Sequence, residues 1–354
     1  MPPPVWPPDS ILAQKSQLSH FISATGLADF PTLLQRSKDD PTWVVHQMIT
    51  FLRLRFDSPF HHVTTTKGIY CNDWIKDGTV NASRLITENA PASQIALTWE
   101  NEQGESRSWS YRAFAAVTRR AAATLVECGV GIGDKVVIPK NLTLETIAAL
   151  SACARIGAIG VESTDSDFII DSAPWDSLDK QPLNQPPLPL PPETLLLDHR
   201  THGAFIIKAA IDLAFVAGVG RGTRFAWFGK DPWMLLGALA LGATVVLFDP
   251  KAIVNPDRLW ALCAHQNIEV IGLTPQMAVD LPSLPSDRHN LDRLEIILID
   301  GVLYDPAFTR LHKLTGAGHL SVLQYLDGVQ ADNLLCPVEA GIISQYCLGS
   351  ATSC

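Results

Sequence analysis

Residues 106–161 alternate helix-type and strand-type patterning, and that alternation constrains the fold more than any other stretch of the chain. Ser110 stands where a helix N-cap is needed, because a hydroxyl there accepts a hydrogen bond from a first-turn amide. Phe114, Val117, Ala121 and Leu125 recur at helical spacing and predict one buried face. Gly129 marks the stop. Val136, Val137 and Ile138 follow Asp134 as a short apolar run closed by Pro139, the pattern of a buried strand. Thr143 caps a second helix over 144–156, with Ile147, Leu150 and Ala154 inward. Gly157 ends that helix and 158–161 gives the next strand. Strands joined through helices pair in parallel and bury both faces, so the chain is predicted to be α/β, with mostly parallel sheets flanked by helices.

Composition narrows the function classes. The chain has 354 residues, enough for one large or two modest cores. Hydrophobic residues make up 47% and charged residues 18%, as in a globular protein. A formal net charge of −9, with no basic stripe interleaved with aromatics, argues against a nucleic-acid surface. The aliphatic run at 235–248 is interrupted by Gly237 and Gly242 and is too short for a membrane span. The opening MPPPVWPPDS has no basic region leading into an apolar core, so no signal peptide is expected. Seven cysteines without paired metal-ligand spacing fit a reduced, cytoplasmic setting. His61, His62 and Lys67 have no carboxylate or cysteine at ligand spacing and read as a loop. Asp198 and His199, with His202 close by, could form a pair of bases in a cleft or serve structure alone. Gly218, Gly220 and Gly222 do not lead a strand into a helix as a dinucleotide fingerprint does, and no G-x-S-x-G elbow occurs.

Three motifs carry a resemblance: W-S-Y-R at 109–112, G-V-G-I-G-D-K-V at 129–136 and A-C-A-R-I-G-A-I at 152–159. In this order they resemble the N-terminal core of adenylate-forming acyl-CoA synthetases, the AMP-binding superfamily. V-W-P-P-D-S-I at 5–11 and D-F-P-T-L-L-Q-R-S-K-D-D-P-T-W at 29–43 are similar to the N-terminal extension of the acetoacetyl-CoA synthetase branch. The resemblance implies the large domain of that fold. It also implies the family's reaction, in which ATP and Mg activate a carboxylate as an acyl-adenylate and the acyl group passes to CoA. It divides the chain into a helical extension at 1–60, a first α/β subdomain at 61–168, a Pro-rich linker at 169–198 and a second α/β subdomain at 199–354. Its acyl and nucleotide pocket would use Trp233, which stands where the family has T-G-W-M. It would also use Gly272, Thr274 and Pro275, which stand against F-G-T-S-P. Gly301 stands against T-G-S-P-L-S, and Asp332 lies near the family's S-G-G-T-D.

The chain departs from the family where the chemistry lies. The family's phosphate loop reads approximately Y-S-S-G-T-T-G-x-P-K; its glycines let backbone N–H groups approach a triphosphate. Here 171–198 reads DSAPWDSLDKQPLNQPPLPLPPETLLLD, without a glycine. The pattern resumes at His199-Arg200-Thr201-His202-Gly203, similar to H-G-H-G-G. An internal deletion, or an exon skipped in the reading frame, gives this text. The family's ribose aspartate, hinge and lysine-bearing small domain are expected beyond Cys354. The reading is an internally deleted and C-terminally truncated synthetase-like protein of acyl/CoA, polyketide or lipid metabolism, unable to adenylate alone. No catalytic residue, metal or cofactor is expected for the chain by itself, and its expected ligand is a small acyl group or CoA. The alternatives are a non-catalytic subunit docking a protein partner on the face left by the missing domain, and a degenerate gene product.

Overall fold

The computed structural model describes residues 16–63, 75–139, 142–161, 168–169, 185–197, 200–229, 232–249, 256–281, 288–301, 321–325 and 342–344. Both caps expected in the alternating stretch are in place. Helix α5 (Tyr111–Glu127) starts with Ser110 Oγ accepting from the Ala113 amide at 3.2 Å. Helix α6 (Leu144–Ile156) starts with Thr143 Oγ1 accepting from the Thr146 amide at 3.2 Å, and Gly157 closes it in the left-handed region. Strands β5 (Lys135–Val137) and β6 (Ile159–Val161), joined through α6, pair in parallel.

Three helices lead in: α1 (Gln17–Thr25), α2 (Phe30–Asp39) and α3 (Pro41–Phe51). Asp40 separates the last two because its carboxylate caps α3 by accepting from the Trp43 amide. A small antiparallel pair, β1 (His62–Val63) with β2 (Ile75–Lys76), and the short helix α4 (Ala82–Glu88) follow. The main sheet has eight strands. It is built from β3 (Ile95–Glu100), β4 (Ser106–Ser110), β10 (Arg224–Trp227), β11 (Thr244–Phe248), β12 (Val270–Leu273), β13 (Ile296–Asp300), β14 (Ser321–Tyr325) and β15 (Ile342–Ser344). Its order is β15-β14-β13-β12-β10-β11-β3-β4, with all neighbours parallel except the antiparallel pairs at the two edges. A second sheet orders β7 (Phe168–Ile169), β5, β6, β8 (Leu195–Leu197) and β9 (Arg200–Thr201).

These sheets cut across the division at 168 and 199 read from the sequence. β3 and β4, from the first half, complete an edge of the sheet that is otherwise built from the second half. β8 and β9 complete the sheet begun by β5 and β6. Side chains join the halves as well. The buried Tyr111 hydroxyl lies 2.7 Å from the Ala243 carbonyl and 3.0 Å from that of Leu239.

Each main-sheet strand sends alternate residues to opposite faces. Phe225, Trp227, Val245, Leu247, Val270 and Leu298 pack with helix α8 (Trp233–Ala240), inside a core that reaches α5, α6 and the leading helices. Ala226, Val246, Phe248, Ile271, Leu273, Ile297 and Ile299 pack with α9 (Pro256–His265) and α10 (Pro275–Asp280). The expected helix at 204–215 is present in two geometries: α7 (His202–Lys208) runs directly into a π-helix (Ala209–Val216). Within it Asp212 is fully buried, 2.9 Å from the Lys208 ammonium.

The Pro-rich stretch is bound to the core wherever it is described. Its carbonyls act as acceptors: Gln185 O from Arg155 Nε, Leu188 O from Asn81 Nδ2 at 2.9 Å, Leu190 O from the Val80 amide at 2.8 Å and Pro192 O from the Gly203 amide at 2.8 Å. Proline lacks an N–H but keeps its carbonyl, so a strap of this composition docks through acceptors. Asn81 is the main clasp. Its Nδ2 also reaches Arg155 O at 3.1 Å, and its Oδ1 caps α4 by accepting from the Ser83 amide. Asn81→Ala is expected to destabilise the fold by about 2–3 kcal/mol, since it leaves a buried carbonyl and a helix amide unmet. Asn81→Asp keeps the cap acceptor, loses the amide donors and should be no better. Urea denaturation midpoints of the two variants check this, and a wild-type midpoint for Asn81→Asp would contradict it.

Candidate functional site at the crossover reversal

The chain leaves β10 for β11 on one side and returns through α9 to β12 on the other, so β10 has its successors on both flanks. The loop after β10 leads to α8 on one face, whereas the loop after β12 leads to α10 on the opposite face. Parallel α/β sheets bind ligands where such loops diverge at the C-terminal ends of strands.

Four of the sequence-derived pocket residues meet here. Thr274 caps α10, its Oγ1 accepting from the Met277 amide at 3.2 Å. Pro275 opens that helix and its ring lies beside Gly301: a methyl group built on Gly301 would stand 3.2 Å from Pro275 Cγ. Gly301 follows β13 with φ of 128°, a conformation that favours glycine. Gly272, in β12, is paired in register with Trp227 of β10, and the Trp227 ring lies directly on it. A Cβ at Gly272 would fall 1.8 Å from a Trp227 ring carbon. The fifth residue, Trp233, lies at the start of α8 with no exposure, inside the core. The Arg200 guanidinium carbon stands 4.8 Å from its ring centroid and the Lys208 ammonium 5.9 Å. Asp332 lies outside the described residues.

Sequence reasoning missed Trp227, Gly229 and Asp300. A Cβ on Gly229 would stand 2.4 Å from both a Trp227 ring carbon and Asp300 Oδ2, so these three groups are mutually close at the strand ends. The available signal was a large aromatic at the end of one strand pattern and a glycine inside the next.

The AMP-binding enzyme family matches residues 86–164. Acetyl-coenzyme A synthetase from Methylobacillus flagellatus is 31% identical over 154 residues, which is 42% of this chain and 23% of that protein. The matched stretch therefore spans under a quarter of that relative. Acetoacetyl-CoA synthetase from Streptomyces lividans has the same fold with a TM-score of 0.75 at 16% identity, over 92% of this chain and 64% of that one. An anthranilate CoA ligase in complex with anthranoyl-AMP follows with a TM-score of 0.59 at 15% identity, over 70% of this chain and 58% of that one. The chain is acyl-CoA synthetase-like.

The described part of the Pro-rich stretch, expected from the sequence where a phosphate loop would lie, presents mainly acceptors. Pro186, Pro187, Pro189, Pro191 and Pro192 supply no N–H, and the carbonyls of Gln185, Leu188, Leu190 and Pro192 face inward donors. A triphosphate cradle needs converging donors, so the described part of this stretch does not fit one. Among the described residues no group of three or more His, Cys, Asp or Glu side chains could hold a metal ion. Among them, too, no helix is long and apolar enough to cross a membrane.

His202, read from the sequence as a base or a structural residue, has no exposure. Its Nδ1 accepts from the Ala82 amide at 3.0 Å, which places the proton of the neutral ring on Nε2. Burial lowers its pKa to about 3.

Two outcomes are expected. Gly272→Val should displace the Trp227 ring and lower stability by about 1–3 kcal/mol; a smaller residue at 227 in the double variant should restore part of it, as read by denaturant midpoints. For His202, an unfolded histidine titrates near about 6.5, so below that pH the unfolded chain binds a proton that the folded chain refuses. Its contribution is therefore complete above about 6.5 and is lost as pH falls toward the folded value. Urea titrations should show stability declining toward acid with a slope of up to about 1.4 kcal/mol per pH unit from this one proton. His202→Asn, whose Oδ1 can accept from the Ala82 amide, should flatten that slope.

Proposed function

We propose that this chain binds a small acyl group, as the carboxylic acid or its CoA thioester, in the crevice where the loops after β10 and β12 diverge. We propose further that it does not form acyl-adenylates by itself. A short β-keto acid such as acetoacetate is the preferred substrate class. The N-terminal motifs favour it, and the Streptomyces lividans protein of like fold is described as an acetoacetyl-CoA synthetase. The role is in cytoplasmic acyl/CoA metabolism, including lipid or polyketide precursor supply.

The observation that carries this reading is the proline strap. Adenylyl transfer depends on preorganised donors and cations around the transferring phosphorus. Losing one such donor typically costs ~10²–10³ in rate. The described part of the strap offers buried carbonyls where the related motif offers N–H groups, and the stretch at 171–198 contains no glycine. The retained features lie instead at the strand ends: Thr274 with Pro275 beside Gly301, and Trp227 seated on Gly272.

Calorimetry with acetyl-CoA, acetoacetyl-CoA and free CoA should give saturable binding of at least one thioester. Pyrophosphate exchange with acetate or acetoacetate should stay at the no-enzyme rate. Exchange above that rate would refute the loss of adenylation, and an absence of binding across the set would refute the acyl site.

A further inference from the structure

Trp227 fills a place that the neighbouring strand leaves open for it. Parallel pairing puts Leu298 of β13, Gly272 of β12 and Trp227 of β10 in one row across the main sheet. Residues paired in register point to the same face, so the row reads large side chain, gap, large side chain. The indole fills the gap. A Cβ on Gly272 would meet ring atoms Cε3, Cζ3 and Cδ2, and a Cβ on Gly229 would meet Cζ2 and Cε2. Those atoms lie on opposite edges of the six-membered ring. The ring therefore spans from the backbone of β12 to the loop that follows β10. The Phe228 amide donates to Gly272 O at 2.8 Å, so the backbone just past the indole is tied to the same glycine. Trp227 is 4% exposed, which makes its ring a closing surface and not a free side chain.

Covering a sheet face does not require this arrangement. Central parallel strands are ordinarily filled by Val, Ile and Leu, and a glycine inside a strand weakens it. An aliphatic residue at 272 with another at 227 would cover the same face. What the glycine permits is close approach, here of a broad, rigid ring from the next strand. That ring belongs to the last residue of β10, where the loops after β10 and β12 part. Thr274 and the contact of Pro275 with Gly301 stand beyond it, past the ends of β12 and β13.

We propose that Trp227 is the floor of the acyl crevice and sets the length of chain it accepts, restricting the ligand to short acyl groups. The inference rests on the acyl site proposed above and adds the residue that decides its depth. An indole has few torsions, and this one is held between two backbone segments, so it does not fold aside for a longer chain. Each methylene moved from water into an apolar pocket raises affinity about fourfold. A methylene that meets the ring loses that gain and adds a clash. The crevice thus turns away chains that transfer from water alone would favour.

The full chain would be titrated by calorimetry with acetoacetyl-CoA, hexanoyl-CoA and octanoyl-CoA. Trp227→Leu and Trp227→Phe would be titrated alongside, with Trp43→Phe on α3 as a control for loss of an indole and thermal melts to confirm folding. The readout is the ratio of affinities for octanoyl-CoA and acetoacetyl-CoA, which a fall in stability alone leaves unchanged. The wild-type chain is expected to bind the two longer thioesters about tenfold or more less tightly than acetoacetyl-CoA. In Trp227→Leu the ratio should shift toward octanoyl-CoA by about tenfold or more, in Trp227→Phe by less, and in Trp43→Phe not at all. If Trp227→Leu does not fold, the wild-type series and Trp227→Phe decide. Equal or tighter binding of octanoyl-CoA by the wild-type chain, or a ratio unchanged in the folded Trp227 variants, would overturn the proposal and leave the acyl site standing. Absence of binding of all three thioesters would overturn the acyl site itself, and this inference with it.

Discussion

A parallel ladder running from β3 to β14 must be covered on both faces, and the arrangement of the molecule follows from meeting that demand. Alternating residues of β10 to β13 send one set of side chains to α8 and the other to α9 and α10. To supply helices to both faces, the chain has to reverse the direction in which it adds strands, and it does so at β10. The reversal opens the loops that gather Trp227, Thr274, Pro275 and Gly301. The candidate crevice is thus a by-product of covering a sheet, later furnished with particular side chains.

A second recurring device is the use of buried polar groups to hold segments that are distant in sequence. Tyr111 reaches the carbonyls at the end of α8, and Gln94 Nε2 reaches Gly242 O at 2.7 Å. Asn81 and Arg155 hold the strap through its carbonyls. In each case a backbone carbonyl accepts from a side chain that is distant in sequence. The strap can be rich in proline for a related reason: it is held mainly through its carbonyls, with the Leu188 amide, which donates to Arg155 O, as one N–H it supplies.

Local physics was legible in the sequence wherever it was local. Ser110, Thr143 and Gly157 cap the helices they were expected to cap, and the strands around Val136, Val245 and Ile271 lie where their apolar runs placed them. What depends on pairing between distant segments was not legible. The Pro-rich stretch read as a linker because its composition carries no record of the donors Asn81, Val80 and Gly203 that meet it. That β3 joins β11, from the far side of the Pro-rich stretch, could not be read either, since hydropathy does not record register. The helix after His202 was anticipated, but its change to π geometry was not: the period-3.6 pattern is the same, and the pairing of half-buried Lys208 with buried Asp212 has no signature of its own. Among the pocket residues, Gly272, Thr274, Pro275 and Gly301 come together, while Trp233 is enclosed by the core and cations, and Trp227, which lies on Gly272, went unread.

The position of β3 has a consequence for how the protein is made. Ile95 O accepts a hydrogen bond from Thr244 Oγ1, 149 residues further along, and among the described residues β3 has β11 as its parallel neighbour. As the chain emerges from a ribosome, the β3–β4 hairpin is complete long before β11 exists, and one edge of it carries unmet backbone groups in the meantime. Non-local pairing of this kind slows folding, and an open edge invites pairing with other chains. That edge of the hairpin therefore stays open to mispairing for as long as the chain takes to reach Thr244.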